Sequence, residues 1–326
     1  MTKQRRLVSA LAAAGALALG LAACSSEGGR QEEGEAVQDE TFTVAMITHG
    51  VEGDTFFDIV RAGAEAAAAK DNVELQYYAD DTAQGQATLV QNAIDQDVDG
   101  IAVTLARPDE MAASVAAANE AGIPIVAFNA GIEQWVDVGA MSYFGTDEHL
   151  AGTAFGERLT EEGAQHAICV VMEQGHVALE TRCASLTDAF AGQTDTIYVD
   201  GSDMTDVKST ITSTLQSDPT IDYVVTLGAP FAMTALDSVE EAGSEASVAT
   251  FDMNADAAQA IQDGRIKWSV DQQPYLQGYE SVDALWLYLT NGNTMGGGTE
   301  PVLTGPSFVD ESNIDTVIEY AQNGTR

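Results

Sequence analysis

The chain has 326 residues, of which 45% are hydrophobic, and a formal net charge of −38. That length is room for two domains of ordinary size, and the apolar share is enough to build real cores. Such acidity offers nucleic acid no basic face and is repelled by anionic lipid, so any membrane attachment needs a device other than electrostatics.

The first residues contain such a device. Lys3, Arg5 and Arg6 form a basic start, and Leu7 to Ala23 is almost wholly apolar and rich in Ala, Leu and Gly. This is the layout of a secretory signal peptide. It ends in Leu21-Ala22-Ala23-Cys24, which resembles the lipobox of bacterial lipoproteins. The resemblance implies that residues 1–23 are removed and that Cys24 carries a lipid, anchoring the chain to the outer face of the cell membrane. Two other readings stay open. The run is long enough to remain as a short membrane helix, or the signal is cut elsewhere and Cys24 is incidental. Residues 24–40 are polar, acidic and poor in apolar side chains, so they read as a disordered tether.

From Thr41 onward, β-rich runs alternate with Ala-rich stretches of helical period. Strands are expected at 42–48, 73–79, 99–105, 124–128, 167–172, 195–199, 221–227, 247–251 and 267–271. Helices are expected at 55–70, 84–97, 109–121, 148–163, 178–191, 204–217, 230–242, 254–263 and 274–291, with a loop-like tail after Asn291 and a short helix near 312–321. The runs at 124–128 and 221–227 have few polar breaks, as strands covered on both faces do. This alternation predicts an α/β fold with parallel sheets and helices on both faces. The pattern occurs twice, over about 41–146 and 147–252, which points to two similar lobes. Cys169 and Cys183 remain after export into an oxidising compartment, where a disulfide is expected. The competing reading is that Cys169, inside an apolar run, is a buried free thiol.

In open parallel sheets, ligands bind beyond the carboxyl ends of the strands. The residues that follow the strands are therefore the candidates. They include His49, Asp54, Phe56 and Phe57 after the first strand, Arg107 after 99–105, and Asn129 after 124–128. Glu173 and His176 follow 167–172 with Arg182 beyond them, Gly228 follows 221–227, Asp252 follows 247–251, and Gln272 follows 267–271. Carboxylates, amides and an arginine with flat aromatic rings suit a polyhydroxylated ligand, whose hydroxyls both donate and accept hydrogen bonds. Each residue also has a structural reading. Asp54 can cap the following helix, one of Phe56 and Phe57 must pack inward, and Arg182 can pair with Glu180 at the surface.

Over essentially all of residues 41–326 the chain resembles the type I periplasmic binding proteins of the ribose-binding class. The carrying segments are Gly53-Asp54-Thr55-Phe56-Phe57, Phe144 to Gly152, Arg182 before a helix ending near Phe190, Ala249-Thr250-Phe251-Asp252, and Asp271-Gln272-Gln273-Pro274-Tyr275. The resemblance implies two Rossmann-like lobes joined by a three-segment hinge. The N-terminal lobe would be 41–146 plus 273–303 and the C-terminal lobe 147–272 plus 304–326. It also implies the solute-binding component of an ABC importer, a monomer that delivers a small sugar-like ligand to permease subunits. The expected ligand set is Asp54, Phe56, Phe57, Asn129, Arg182, Asp252 and Gln272, with His49, Arg107 and Glu173 as outer candidates. Asn129-Ala130 stands where ribose binders carry Asp-Arg, and Gly228 where many carry Asn, so ribose is not carried over.

An enzyme is the main alternative. The sequence has no Gly-x-Ser-x-Gly elbow, no His-Glu-x-x-His and no P-loop pattern. His49, His149, His166 and His176 lack metal-ligand spacing, so no metal, cofactor or catalytic residue is expected, and His149, His166 and His176 are read as surface or core residues. A DNA-binding regulator on this fold would need a helix-turn-helix where the signal peptide lies. A sensory binding protein reporting to a membrane receptor uses the same ligand closure as an importer and is not separated from it by sequence.

Overall fold

The computed structural model describes residues 41–51 and 53–326. The signal peptide, Cys24 and the tether lie outside the described residues. Among the described residues, no helix is long and apolar enough to cross a membrane.

The first lobe runs β1 (Phe42–Thr48), α1 (Thr55–Asp71), β2 (Val73–Ala79), α2 (Ala83–Asp95), β3 (Gly100–Thr104), α3 (Pro108–Glu120), β4 (Ile125–Asn129), α4 (Trp135–Val138) and β5 (Tyr143–Thr146). The chain then enters the second lobe with α5 (Glu148–Glu161), β6 (His166–Val171), α6 (Val177–Ala189), β7 (Gln193–Tyr198), α7 (Met204–Ser217) and β8 (Tyr223–Thr226). That lobe continues through α8 (Ala229–Ala242), β9 (Ser247–Phe251), α9 (Ala255–Gln262) and β10 (Ile266–Asp271). The chain returns for α10 (Pro274–Asn291) and β11 (Val302–Gly305), then crosses again to β12 (Ser307–Asp310) and α11 (Ile318–Gln322).

Each lobe holds a six-stranded sheet. The orders are β11-β5-β4-β3-β1-β2 and β12-β10-β9-β8-β6-β7. All neighbours are parallel except β10 and β12. Strands β3, β4, β6 and β8 are buried along their whole length, whereas the edge strands β2 and β7 alternate toward solvent. The apolar runs thus become central strands because helices cover both of their faces.

Helix pairs weld each lobe. A Cβ on Gly278 would fall 1.9 Å from the Val60 carbonyl oxygen, and one on Gly63 would fall 1.9 Å from that of Tyr275, so α1 and α10 touch backbone to backbone. Gly152 and Gly156 of α5 meet the carbonyls of Arg182 and Leu186 on α6, at 2.5 and 2.4 Å from the same notional atom. The Cys169–Cys183 disulfide ties β6 to α6 with Cα atoms 5.9 Å apart, which removes the free-thiol reading.

Several elements differ from the expectation. Strand β5 falls where no strand is expected, and β11 and β12 occupy what reads as a loop or its margin. Each has four residues, too few for a periodic signal, and each exists through its pairing. Leu303 pairs with Gly145 and Gly305 with Thr146, so Thr304 and Gly305 belong to the first sheet and the last crossing falls at Pro306. The expected bound at 303/304 is corrected accordingly. The helix expected near 312–321 is a 3₁₀ turn at Ile314–Thr316 followed by α11.

Candidate functional site

Both sheets change winding direction beside their first strands, between β1 and β3 and between β6 and β8. There the connections leave to opposite faces and open a crevice. The two crevices face each other across a cavity of about 690 Å³. Every candidate from the strand ends lines it: His49, Asp54, Phe56, Phe57, Arg107 and Asn129 from the first lobe, and Glu173, Arg182, Asp252 and Gln272 from the second.

The second lobe supplies a charged wall. Arg182 is 3% exposed, and its partner is Glu148 rather than Glu180. Its Nε donates to Glu148 Oε2 at 2.5 Å and its Nη2 to Oε1 at 3.0 Å, while the guanidinium carbon lies 4.8 Å from the Phe251 ring centre. This fork fixes the guanidinium and leaves Nη1 without a hydrogen bond among the described residues. Glu180 instead accepts from the Gly175 amide and the Tyr198 hydroxyl.

Asp252 is also buried. Burial raises its pKa to about 7, against the opposing pull of Arg182 and the hydrogen bond from Gln272. Gln272 Nε2 donates to Asp252 Oδ1 at 2.6 Å, and Gln272 Oε1 is buried without a partner among the described residues. A buried acceptor of that kind costs stability unless a ligand or water donates to it.

The first lobe supplies a wall in which the charged groups Asp54, Asp81 and Arg107 stand among neutral ones. Asp54 performs the capping expected of it: one oxygen, Oδ1, accepts from the amides of Phe56 and Phe57 at 2.9 and 3.4 Å. Its other oxygen carries none of these bonds, and burial raises its pKa. Phe57 is buried in the core, while the half-buried Phe56 meets it edge to face. Asn129 donates through Nδ2 to Gln277 Oε1 at 3.4 Å, and Gln277 reaches Thr304 in turn. Asn129 and Asp252 both sit at φ 66°, a region costly for side chains other than glycine and somewhat less so for Asn and Asp. They end equivalent strands, and the turn aims both side chains at the cleft.

Arg107 and Glu173 meet across the cleft. Arg107 Nη2 stands 2.7 Å from Glu173 Oε1, and Arg107 Nη1 reaches the Asp81 carbonyl at 3.3 Å. Nearby, His49 and His176 touch through their Nε2 atoms at 3.0 Å. Ligand atoms of His49, Glu173 and His176 lie within 4.8 Å of one another, the span of a metal site. The chemistry does not fit one. His176 Nδ1 accepts the Ala178 amide as the cap of α6, so the proton of the neutral ring is on Nε2, which then has no lone pair for a cation. Glu173 is ion-paired with Arg107, although its Oε1 accepts no well-aligned hydrogen bond among the described residues.

A family model described as a periplasmic binding protein domain matches residues 44–294. The chain belongs to the periplasmic binding protein family. It is an extracytoplasmic solute-binding protein of the kind that serves sugar importers, and it is not an enzyme. A solved carbohydrate transporter from Acidothermus cellulolyticus, in complex with myo-inositol, is 52% identical with a TM-score of 0.87, covering 88% of this chain and 100% of that one. The xylose/arabinose-binding protein of Sulfolobus acidocaldarius is 26% identical over 86% of this chain and 74% of its own length. A xylitol-binding protein of Mycolicibacterium smegmatis is 32% identical over 39% of this chain and 34% of its own.

Some lining residues of this binding protein escape the strand-end rule. Phe231, in the first turn of α8, faces the cavity together with Met172 and Met204. The Gly228-Ala229-Pro230 start of that helix marks the strand end, and the aromatic beyond it was the signal available. Glu148 had none: it reads as the start of an amphipathic helix, and its role depends on Arg182 arriving from α6. His176, read as a surface or core residue, is buried at the lobe interface.

Proposed function

We propose that this protein captures a cyclitol, with myo-inositol as the leading ligand, in the cleft between its lobes and presents it to the permease of an ABC importer. The observation that carries this reading is the mixture of lone acceptors and fixed donors around one cavity. Asp252, the Asp54 oxygen that takes neither the Phe56 nor the Phe57 amide, and Gln272 Oε1 accept, and Arg182 and Asn129 donate. A ring bearing a hydroxyl on every carbon can both give and take on all sides, whereas the ring oxygen of an aldopyranose only accepts. Phe56 and Phe231 offer flat surfaces to the carbon faces of the ring. The myo-inositol complex of the 52% identical relative supports the same choice.

The ligand touches Asp54 and Asn129 on one wall and Arg182, Asp252 and Gln272 on the other. It therefore gains more contacts in the closed form than in the open one, and that difference drives closure. The protein acts as a monomer tethered by a lipid on Cys24, and Cys24→Ser releases it from the membrane or leaves an unprocessed precursor.

Calorimetry of the purified protein with myo-inositol, xylitol, L-arabinose and D-ribose tests the reading. Myo-inositol is expected to bind most tightly, and at about 100 times its Kd to add about 2.7 kcal/mol of stability. Tighter binding of xylitol or a pentose overturns the cyclitol assignment.

A further inference from the structure

The contact between His49 and His176 is one link in a hydrogen-bond chain whose direction is set at one end. The Ala178 amide can only donate, so His176 Nδ1 accepts it at 3.2 Å. The neutral ring then carries its proton on Nε2 and donates it across the cleft to His49 Nε2 at 3.0 Å. His49 in turn has its proton on Nδ1, 2.7 Å from Thr104 Oγ1, an oxygen that the His49 backbone amide at 3.1 Å and the Gln86 side-chain amide at 3.0 Å also approach. Any added proton breaks this chain. On His49 it sets two N–H groups face to face, and on His176 it turns Nδ1 against the Ala178 amide.

The surroundings are a lobe–lobe seam. Beside the rings the Val177 amide donates to the Ala106 carbonyl of the other lobe at 3.1 Å, and Ala106, Ala130 and Ala178 pack together. Phe57 meets the His49 ring edge to face, with centroids 4.9 Å apart. The rings are 8% and 4% exposed. We propose that His49 and His176 form an interlobe latch that holds only while both rings are neutral, so that closure on ligand releases protons and acid favours the open form.

The charges around the pair act in the same direction. Burial and Arg107 lower the pKa of His49 to about 3. Burial, then His49, Arg182 and Arg107, hold His176 well below the usual imidazole range. The nearby carboxylates Glu173 and Glu148 are occupied by Arg107 and Arg182 respectively. In the open form the rings separate, and each regains an ordinary pKa near 6.5. The depressed pKa values belong to the closed form, so closure is fully favoured above about pH 6.5 and loses ground as pH falls below it. Between pH 7.5 and 5.0 this amounts to roughly 30-fold in affinity for each histidine that titrates. Asp252 opposes it, because its raised pKa makes the closed form the better proton acceptor. Asp54, Glu148 and Glu173 are shifted upward as well. The histidine contribution is therefore the part of the pH dependence that a histidine-free latch loses.

Two measurements test this. The first needs no ligand. Cysteines at Ala106 and Ala178 lock the lobes when oxidised, and the histidine ring resonances are followed by NMR from pH 8 to 5, assigned with His49→Gln and His176→Asn. In the locked protein both resonances are expected not to titrate, and in the ligand-free protein without the two added cysteines to titrate near pH 6.5. Titration near 6.5 in the locked protein overturns the latch. The second rests on the cyclitol reading. Myo-inositol affinity at pH 7.5 and 5.0 is compared between wild type and H49Q/H176N, in which Asn keeps a capping side chain for α6. Wild type is expected to lose at least about 30-fold more than the variant, with proton release at pH 6 seen as a buffer-dependent heat. Equal losses overturn the latch. No binding at pH 7.5 counts against the cyclitol reading instead, and the locked-protein titration then decides the latch.

Discussion

The two lobes share a strand order, a glycine-welded helix pair and a left-handed residue at the end of the fourth strand, yet that strand end is furnished with different chemistry in each. The first lobe ends β4 in Asn129, held by the neutral amide of Gln277. The second ends β9 in Asp252, beside the buried Glu148–Arg182 pair, and staples β6 to α6 with a disulfide. The same backbone solution thus supports a neutral amide pair at one strand end and a desolvated ionic cluster at the other. Ions out of water are tolerable only when each is held by its neighbours. That accounts for the fork to Glu148, the stacking on Phe251 and the amide of Gln272 all converging on one wall.

The comparison breaks most sharply at Arg182. Arg182→Ala leaves Glu148 buried without its cation, so a loss of about 3–5 kcal/mol in urea unfolding is expected, along with loss of ligand-induced closure. The counterpart in the first lobe, Gln277→Ala, removes a neutral partner and is expected to cost about 1–2 kcal/mol. Equal losses would show that the ionic cluster is no more dependent on its partners than the neutral amide pair. Next comes the disulfide. Its cysteines are 14 residues apart, and opening a loop of that size costs about 3 kcal/mol on the chain-entropy account. Replacing both cysteines with Ala is expected to raise hydrogen exchange in β6 and α6 and leave α1 and α10 unchanged.

These particulars show what a sequence can carry. Strand ends were legible because continuous apolar runs such as Ile125–Phe128 stop at a polar residue, and parallel topology brings those stops to one edge. That logic placed Asn129, Asp252 and Gln272 on the cavity without further information. Glu148 was invisible because an ion pair between two helices depends on their packing, here set by Gly152 and Gly156 against α6. Strands β11 and β12 were invisible because four residues carry too little pattern and owe their form to β5 and β10. The contact of His176 with His49 was invisible because the two residues lie 127 positions apart, on different lobes.

The helix welds give a smaller test. A Cβ at Gly278 would stand 1.9 Å from a backbone oxygen, against 2.5 Å at Gly152. Both nearest atoms are backbone carbonyl oxygens, so the closer approach decides, and overpacking of this kind costs about 1–3 kcal/mol. Gly278→Ala is expected at or beyond the upper end of that range and Gly152→Ala nearer the lower, by urea unfolding. The reverse order would mean that α10 shifts more freely than α6.

The smallest effect isolates the shared backbone from the unlike chemistry. Asn129 and Asp252 both hold φ at 66°, where a residue with a Cβ is about 1–2 kcal/mol worse off than glycine. Substituting either residue removes its polar group and confounds the two contributions. Comparing Ala with Gly at the same position cancels them, because neither keeps a hydrogen-bonding side chain. Glycine's extra freedom in the unfolded chain offsets part of the gain, by about 0.4–1 kcal/mol. The net expectation is that Asn129→Gly is more stable than Asn129→Ala by about 1 kcal/mol or less. The same small difference is expected between Asp252→Gly and Asp252→Ala, although both Asp252 variants lie far from wild type in ligand affinity. Matching Ala–Gly differences in urea unfolding would establish that the lobes use one strained turn for two chemistries. A difference at Asp252 that exceeds the one at Asn129 severalfold would mean instead that the charged wall holds its turn under additional strain, and that the two lobes are less alike than their topology.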